Sequence, residues 1–501
     1  MSDTTARDTT AYDTTARDTT ARETTARDAA SVLERCTELA RHTALPDGLI
    51  ERVYLSPEHA AVNRIAGRWM LEAGLATRQD AAGNQVGRVE GRVPGGPALL
   101  LGSHLDTVPS AGRYDGILGV LVAITVAGRL TARARATGRP LPFALEVVAF
   151  GDEEGTRFGT TLLGSRALAG TWDPQWWTLT DAAGVRLDDA FHAFGLDPER
   201  IGDAARARQE LLGYLEVHIE QGPVLDQADL PLGVVTDIAG ARRFQISVAG
   251  AAGHAGTPWP RRRDALAGAS EAILAIERIT QDYRRPAAGA AGETAAAGAL
   301  IATVGRIAVF PNAVNVIAAR AEFSLDLRGA FDADRDGAWL QIKAELVALA
   351  ERRKLRVRWD QTHSAPAAHC SARLRAVVAA GIRAGQTDAV GAFRTDGPDR
   401  ADSPDGPHEL ASPASPPELF SMAGHDAMAL AAVTEIGMLF VRCAGGVSHH
   451  PDESVSPADV GRSIDALEAA VLLLIADADA DADADAQADA TTGTLGSETR
   501  P

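Results

Sequence analysis

Lysine is almost absent from this 501-residue chain, which carries it only at Lys343 and Lys354. Arginine supplies the rest of the positive charge, yet acids outnumber bases and the formal net charge is −18. Nucleic-acid binders draw most of their affinity from basic patches, so no nucleic-acid partner is expected. The arginine bias, together with the abundant alanine, reads as genomic composition rather than chemistry. Cysteine is scarce too. Cys36, Cys370 and Cys443 form no C-x-x-C spacing and no paired framework, which speaks for inert thiols in a reducing cytoplasm and against disulfides. There is no uninterrupted apolar stretch of about eighteen residues and no apolar leader at the N-terminus, so neither membrane contact nor secretion is expected. Apolar residues as a whole are plentiful at 46%, enough for a large core and two or three domains.

Both ends are of low complexity. From Asp3 to Asp28 a five-residue unit repeats (DTTAR, DTTAY, DTTAR, DTTAR, ETTAR), with a period that matches neither helix nor strand, and 1–30 is expected to be a disordered tail. The segment ADADADADADAQADA (476–490) alternates charge and methyl. Calcium binding is conceivable there, but a solvated, disordered acidic tail over 476–501 is the favoured reading. Between the ends, ALLLGSHLDTV (98–108) and FALEVVAFGDEE (143–154) read as strands, with the buried helix GILGVLVAITVAGRL (116–130) between them. Strand, helix, strand implies a parallel sheet with covered faces, an α/β domain over 31–238 and 359–475. From 239 to 358 half-buried strands such as RRFQISVAG and AEFSLDLRG alternate with amphipathic helices, an inserted two-layer α+β domain. The run DGPDRADSPDGPHELASPASPPE (396–418) reads as a long loop.

Three adjacent acids, Asp152, Glu153 and Glu154, close one of these strands, where like charges repel with little screening and need a positive partner. Candidates for sharing one cation recur at other strand ends. His104 and Asp106 face the same way in GSHLDTV, the arrangement of a metal-ligating histidine backed by a carboxylate. Asp115 stands in a loop before a helix, His218 stands at a strand-like end within LEVHIEQGP, and His449 and His450 lie in GGVSHHP. Taken singly, a histidine at a strand end is more often structural and a Glu-Glu pair is usually solvated. Together these oxygen and nitrogen donors collect where open α/β sheets build their sites, and two divalent cations would supply the missing charge.

The ordered series GSHLDTV, GRYDGILGV, DEEGTRFGTTLLGSRALAG, LEVHIEQGP, GAAGHAGT, PNAVNVI, FSLDLR, AGHDAM and GMLFVRCAGGVSHHP resembles the hydantoinase/carbamoylase group of dinuclear metallohydrolases, related to the zinc exopeptidases, over about 31–475. The resemblance implies a parallel-sheet catalytic domain with an inserted lid and dimerisation domain, and a homodimer. It makes His104, Asp115 and His218 ligands of one metal, with Asp115 bridging to a second that Glu154 and His449 complete; the ions would be manganese or zinc. Asp106 would orient His104, Glu153 would be the general base, and His254 would stabilise the oxyanion. Asn315 and Arg328 would hold a substrate carboxylate, with Gln221 a further contact. Within the group, GMLFVRC running into GGVSHHPDE is more similar to allantoate deiminases than to carbamoylases. The expected activity is therefore hydrolysis of a ureido C–N bond in a small carboxylate, allantoate first and N-carbamoyl-L-amino acids second; an inactive binding protein on the same fold is the alternative of another class. The chain departs from the group's pattern at Trp259 in a shortened GTPWP, at Ala318-Ala319 where Pro-Gly is usual, and at Met422 where a glycine precedes AGHDA.

Overall fold

The computed structural model describes residues 6–283, 300–391 and 415–494. The chain divides into two compact units: one takes the described residues up to Val235, from Cys370 to Glu418 and from His425 onward, the other Thr236–His369 with Leu419–Gly424.

The first unit is built on a mixed sheet. β1 (Ala76–Gln79), β2 (Gln85–Val89), β3 (Ala98–His104), β4 (Ala144–Phe150), β5 (Leu211–Ile219), β6 (Leu232–Ile238) and the strand Ile436–Val441 contribute to it. Their order is β1-β2-β4-β3-β5, then Ile436–Val441, then β6. The four central strands are mutually parallel, while β1, β2 and β6 join antiparallel at the flanks. Every residue of β3 and β4 is buried, which explains why both read as unbroken apolar runs rather than alternating ones. The helix Ile117–Thr137 is long and apolar enough to cross a membrane, but its large apolar residues, from Ile117 to Leu130, lie in the core of this unit. All three cysteines are buried and form no disulfide.

Two expectations about the ends are corrected. A helix runs over Ala6–Leu39, and its residues Ala29, Val32, Cys36 and Leu39 are buried in the core. Their spacing of three and four follows one helical face, a pattern that begins at Ala29, directly after the repeat ends at Asp28. Thr25 hydrogen-bonds Asp465, and Asp28 bonds Arg129, which also holds Asp465 and Glu468. At the other end the helix beginning at Pro457 continues to Thr494, carried by the alanines, the residue with the highest helix propensity. Residues 1–5 and 495–501, and 396–414 of the expected long loop, lie outside the described residues.

The second unit is a five-stranded antiparallel sheet with two helices on one face. β7 (Gly240–Ala249), β9 (Leu300–Thr303), β10 (Ile307–Phe310), β12 (Arg320–Gly329) and β13 (Arg356–Ala365) form it, in the order β10-β12-β7-β13 with β9 also on β12. Alternate residues Phe323, Leu325 and Leu327 of β12 meet Phe244, Ile246 and Val248 of β7 beneath the helices Ala265–Asp282 and Asp332–Arg353. β13 belongs to this sheet throughout, so the inserted unit ends at His369 and not at 358. A separate two-stranded ladder pairs β8 (Gly253–His254) with β11 (Val316–Ile317).

Candidate active site

Because β4, β3 and β5 are adjacent and parallel, their carboxyl ends share one edge of the sheet. His104 closes β3, Asp152-Glu153-Glu154 follow β4, and His218 is the penultimate residue of β5. Asp115 stands just before the helix Ile117–Thr137, and His449 follows the fourth parallel strand. The approach is close. A Cβ on Gly116, whose φ is +70°, would fall 2.4 Å from the His104 ring, so only glycine fits there.

Asp115 is the centre of the cluster. Its Oδ1 lies 3.2 Å from His218 Nε2 and 3.8 Å from His104 Nε2, and its Oδ2 lies 3.1 Å from His449 Nε2. The same His449 nitrogen is 3.3 Å from Glu154 Oε1. Two groups suited to a metal ion result, His104-Asp115-His218 and Asp115-Glu154-His449, with Asp115 common to both. Nδ1 of His104 meets the carbonyl of Asp106 at 3.0 Å, and Nδ1 of His218 meets the carbonyl of Ile219 at 2.9 Å. A carbonyl only accepts, so each Nδ1 carries the proton and each Nε2 presents a lone pair. Those two lone pairs face each other at 3.4 Å, beside an Asp115 Oδ1 that is buried and has no hydrogen-bond partner. With both rings neutral, three acceptors converge and repel one another; a cation removes the repulsion, and the residues present fit one.

Asp106 meets His104 twice, with its backbone carbonyl at 3.0 Å and its carboxylate Oδ1 at 3.6 Å from Nδ1. The carboxylate also accepts the backbone N–H groups of Glu153 at 3.0 Å and Glu154 at 3.1 Å. Glu153 is itself buried and makes no side-chain hydrogen bond among those described. Burial, and then the charges of Glu154, Asp426 and Asp106, push its carboxyl well above the usual range against the pull of His104. Burial opposes a charge on His104 as well, but the hydrogen bond to Asp106 and the surrounding carboxylates prevail and raise it. Burial pushes His218 down to about 4, and the bonds to Asp115 and Glu154 push His449 up to about 11.

Gln221 sits in this cluster, donating to Asp115 Oδ2 at 3.0 Å and to Ser448 Oγ at 3.1 Å. Asp152, Gln221 and His449 all have positive φ, a costly backbone conformation for these residue types that persists at sites where the surroundings enforce it. Sequence reasoning missed four further residues. Glu216 and His425 join His218 in a third buried group of possible ligands. Glu216 had a signal, since it lies two residues before His218 on the same face of β5. Ser448 and Glu453 had none beyond their place in the GGVSHHPDE motif; the Glu453 carboxylate accepts the N–H groups of Tyr114 and Asp115.

The remaining expected residues belong to the second unit. His254 and Asn315 are brought together by the β8–β11 ladder, where Ala255 N–H bonds the Asn315 carbonyl at 2.9 Å. Arg328 is not the lone cation that an empty carboxylate clamp would hold. Its Nε and Nη2 grip the Asp326 carboxylate at 3.1 and 3.0 Å, Nη1 bonds the Met422 carbonyl, and Arg243 shares Asp326. These groups line a cavity of ≈ 660 Å³ together with Gln245, Arg306 and Ser324. Trp259 is exposed, with the Arg262 guanidinium over its ring.

Residues 100–398 match the family described as peptidase family M20/M25/M40. The chain is 37% identical over 420 residues to an allantoate deiminase of Arabidopsis thaliana, covering 82% of this chain and 76% of that protein. It is also 37% identical over 435 residues to an N-carbamoyl-L-amino acid amidohydrolase of Geobacillus stearothermophilus, covering 87% and 95%. Among solved structures, an amidase of the hydantoinase/carbamoylase family from Burkholderia multivorans superposes with a TM-score of 0.71 at 29% identity, over 88% of this chain and 96% of that one. The cluster at the strand ends thus belongs to a chain of the M20/M25/M40 peptidase family.

Proposed function

We propose that the protein is a dinuclear metal-dependent amidohydrolase that cleaves a ureido C–N bond in a small carboxylate, converting allantoate to ureidoglycine, ammonia and carbon dioxide. The observation that carries this reading is the shared Asp115, with one oxygen toward His104 and His218 and the other toward His449 beside Glu154. Two divalent ions, manganese or zinc, would be held by these five side chains; when bound they would polarise the scissile carbonyl and lower the pKa of the attacking water. Glu153 has a free carboxylate next to a ligand. It takes the proton from the water and returns it to the departing nitrogen, while Asp106 fixes its backbone. His254 is assigned to the oxyanion, Asn315 and Arg328 to the substrate carboxylate, and Gln221 to a further substrate contact. The protein is read as a cytoplasmic homodimer with no membrane or nucleic-acid partner.

Relatives named for allantoate and for N-carbamoyl-L-amino acids match at the same 37% identity, and the GMLFVRC and GGVSHHPDE segments favour allantoate. Side-by-side ammonia-release assays on the manganese-loaded enzyme decide between them. Turnover of allantoate well above that of N-carbamoyl-L-amino acids supports the proposal; turnover of the latter with none of allantoate overturns it in favour of a carbamoylase.

A further inference from the structure

One buried carboxylate next to the cluster is given no role by the ligand set or the general base. Glu453 lies on the segment that follows His449, and its side chain is only 3% exposed. Its Oε1 accepts the N–H of Tyr114 at 2.8 Å and the N–H of Asp115 at 3.2 Å, across 339 and 338 residues of sequence. Its Oε2 accepts from the Ser448 hydroxyl at 3.1 Å, and that hydroxyl also lies 3.3 Å from Asp115 Oδ2. Its backbone N–H bonds the His450 carbonyl at 3.0 Å and closes the turn that directly follows His449, whose φ is +55°. The loop before Asp115 is shaped for this contact: a Cβ on Gly112 would fall 2.2 Å from Glu453 Oε1.

We infer that Glu453 is the positioning residue for the second cation, because one side chain fixes both the Asp115 loop and the His449 turn that must approach each other to form the Asp115-Glu154-His449 group. This rests on the dinuclear reading proposed above. Nothing else described ties the Asp115 backbone to the 448–453 segment. Free of Glu453, the loop and the turn would still carry their ligands but would no longer present them at one spacing. Losing such a supporting contact typically costs ten- to a hundredfold in metal affinity.

Reach and charge can be separated at this position. Glu453→Gln keeps an oxygen at the same distance, able to accept both N–H groups, and removes the charge. Glu453→Asp keeps the charge but is one methylene too short to reach the two amides. Calorimetric binding of manganese to the metal-free proteins should show two ions per chain for the wild type and for Glu453→Gln, with affinities within about threefold. Glu453→Asp should keep the first ion and bind the second about ten- to a hundredfold more weakly, and the melting temperature of its metal-free form should stay close to that of the wild type. Wild-type behaviour of Glu453→Asp, equal loss in both variants, or loss of both ions together with a fall in metal-free melting temperature overturns the inference. A wild-type chain that takes up no manganese overturns the dinuclear reading and this inference with it. Two ions and ureido hydrolysis in the wild type, with both variants unaffected, sinks the inference alone.

Discussion

The Asp106 carboxylate accepts the backbone N–H of Glu153 at 3.0 Å, so the residue expected to steer His104 also fixes the backbone of the proposed general base. Its second oxygen takes the N–H of Glu154 at 3.1 Å, and the two bonds together set the turn after β4. Asp106→Asn keeps one acceptor and sets an amide N–H against a backbone N–H. We predict a fall in kcat of about ten- to a hundredfold in Asp106→Asn, with a larger loss in Asp106→Ala, measured as ammonia release under saturating manganese. Wild-type kcat in both variants would remove Asp106 from the account.

Glu153 and Glu154 are neighbours for which different tasks are proposed, and substitution should separate them. Glu153→Gln should retain two manganese ions and near-native KM while kcat drops by about two decades or more, the signature of a lost general base. Glu154→Gln should instead bind one ion tightly and the other weakly. Metal content by elemental analysis, read beside steady-state kinetics, distinguishes the two outcomes; near-native turnover in Glu153→Gln would move the base elsewhere.

The N-terminal helix is divided by its contacts. Removing residues 1–21 should leave the melting temperature unchanged within about 1 °C. Starting at residue 29 cuts the Asp28 and Thr25 bonds to Arg129 and Asp465, part-exposed pairs together worth roughly 1 kcal/mol. Starting at residue 40 also strips Ala29, Val32, Cys36 and Leu39 from the core, at about 1.5–3 kcal/mol for each large side chain. Calorimetry should therefore show a drop of at least about 5 °C for the shortest chain. Equal melting temperatures for all three would mean that the helix does not pack.

His59 gives the protein an acid limit independent of the metal cluster. It is fully buried beside Tyr54 and Phe194, its Nδ1 accepts the Leu55 N–H, and burial pushes its pKa down to about 4. In the unfolded chain it titrates near 6.5. Its neutral form is the one the fold accepts, so its contribution is complete above pH 6.5 and is lost as pH falls toward 4, by up to roughly 3 kcal/mol. Urea unfolding of the metal-free protein at pH 7 and pH 4.5 should show a smaller pH difference in His59→Gln than in the wild type. An unchanged difference would assign the acid sensitivity to other groups.

The sequence revealed the site where strand topology alone brings residues together. HLD, DEE and HIE each end an apolar run, and parallel neighbours put such ends side by side. The contacts between loops were not legible, because nothing local in GGVSHHPDE says that Glu453 will reach back to the amide of Asp115, 338 residues away. Asp106 shows the same limit at closer range: strand alternation aims it at His104, but only the folded turn shows that its carboxylate serves Glu153 and Glu154. At the N-terminus the low-complexity repeat drew the expected tail one turn too far, since the buried helical face starts at Ala29, immediately after the repeat. The antiparallel flanks of the sheet were missed for a related reason, as short strands such as β1 have exposed residues and no apolar run to mark them.

The most direct test of the central claim is stepwise addition of manganese to the metal-free enzyme while ammonia release from allantoate is recorded. Activity should rise from nothing and reach its plateau at two equivalents per chain. A plateau at one equivalent, or full activity without metal, would contradict the shared role of Asp115; two bound equivalents with no hydrolysis of allantoate or of any N-carbamoyl-L-amino acid would contradict the assigned reaction.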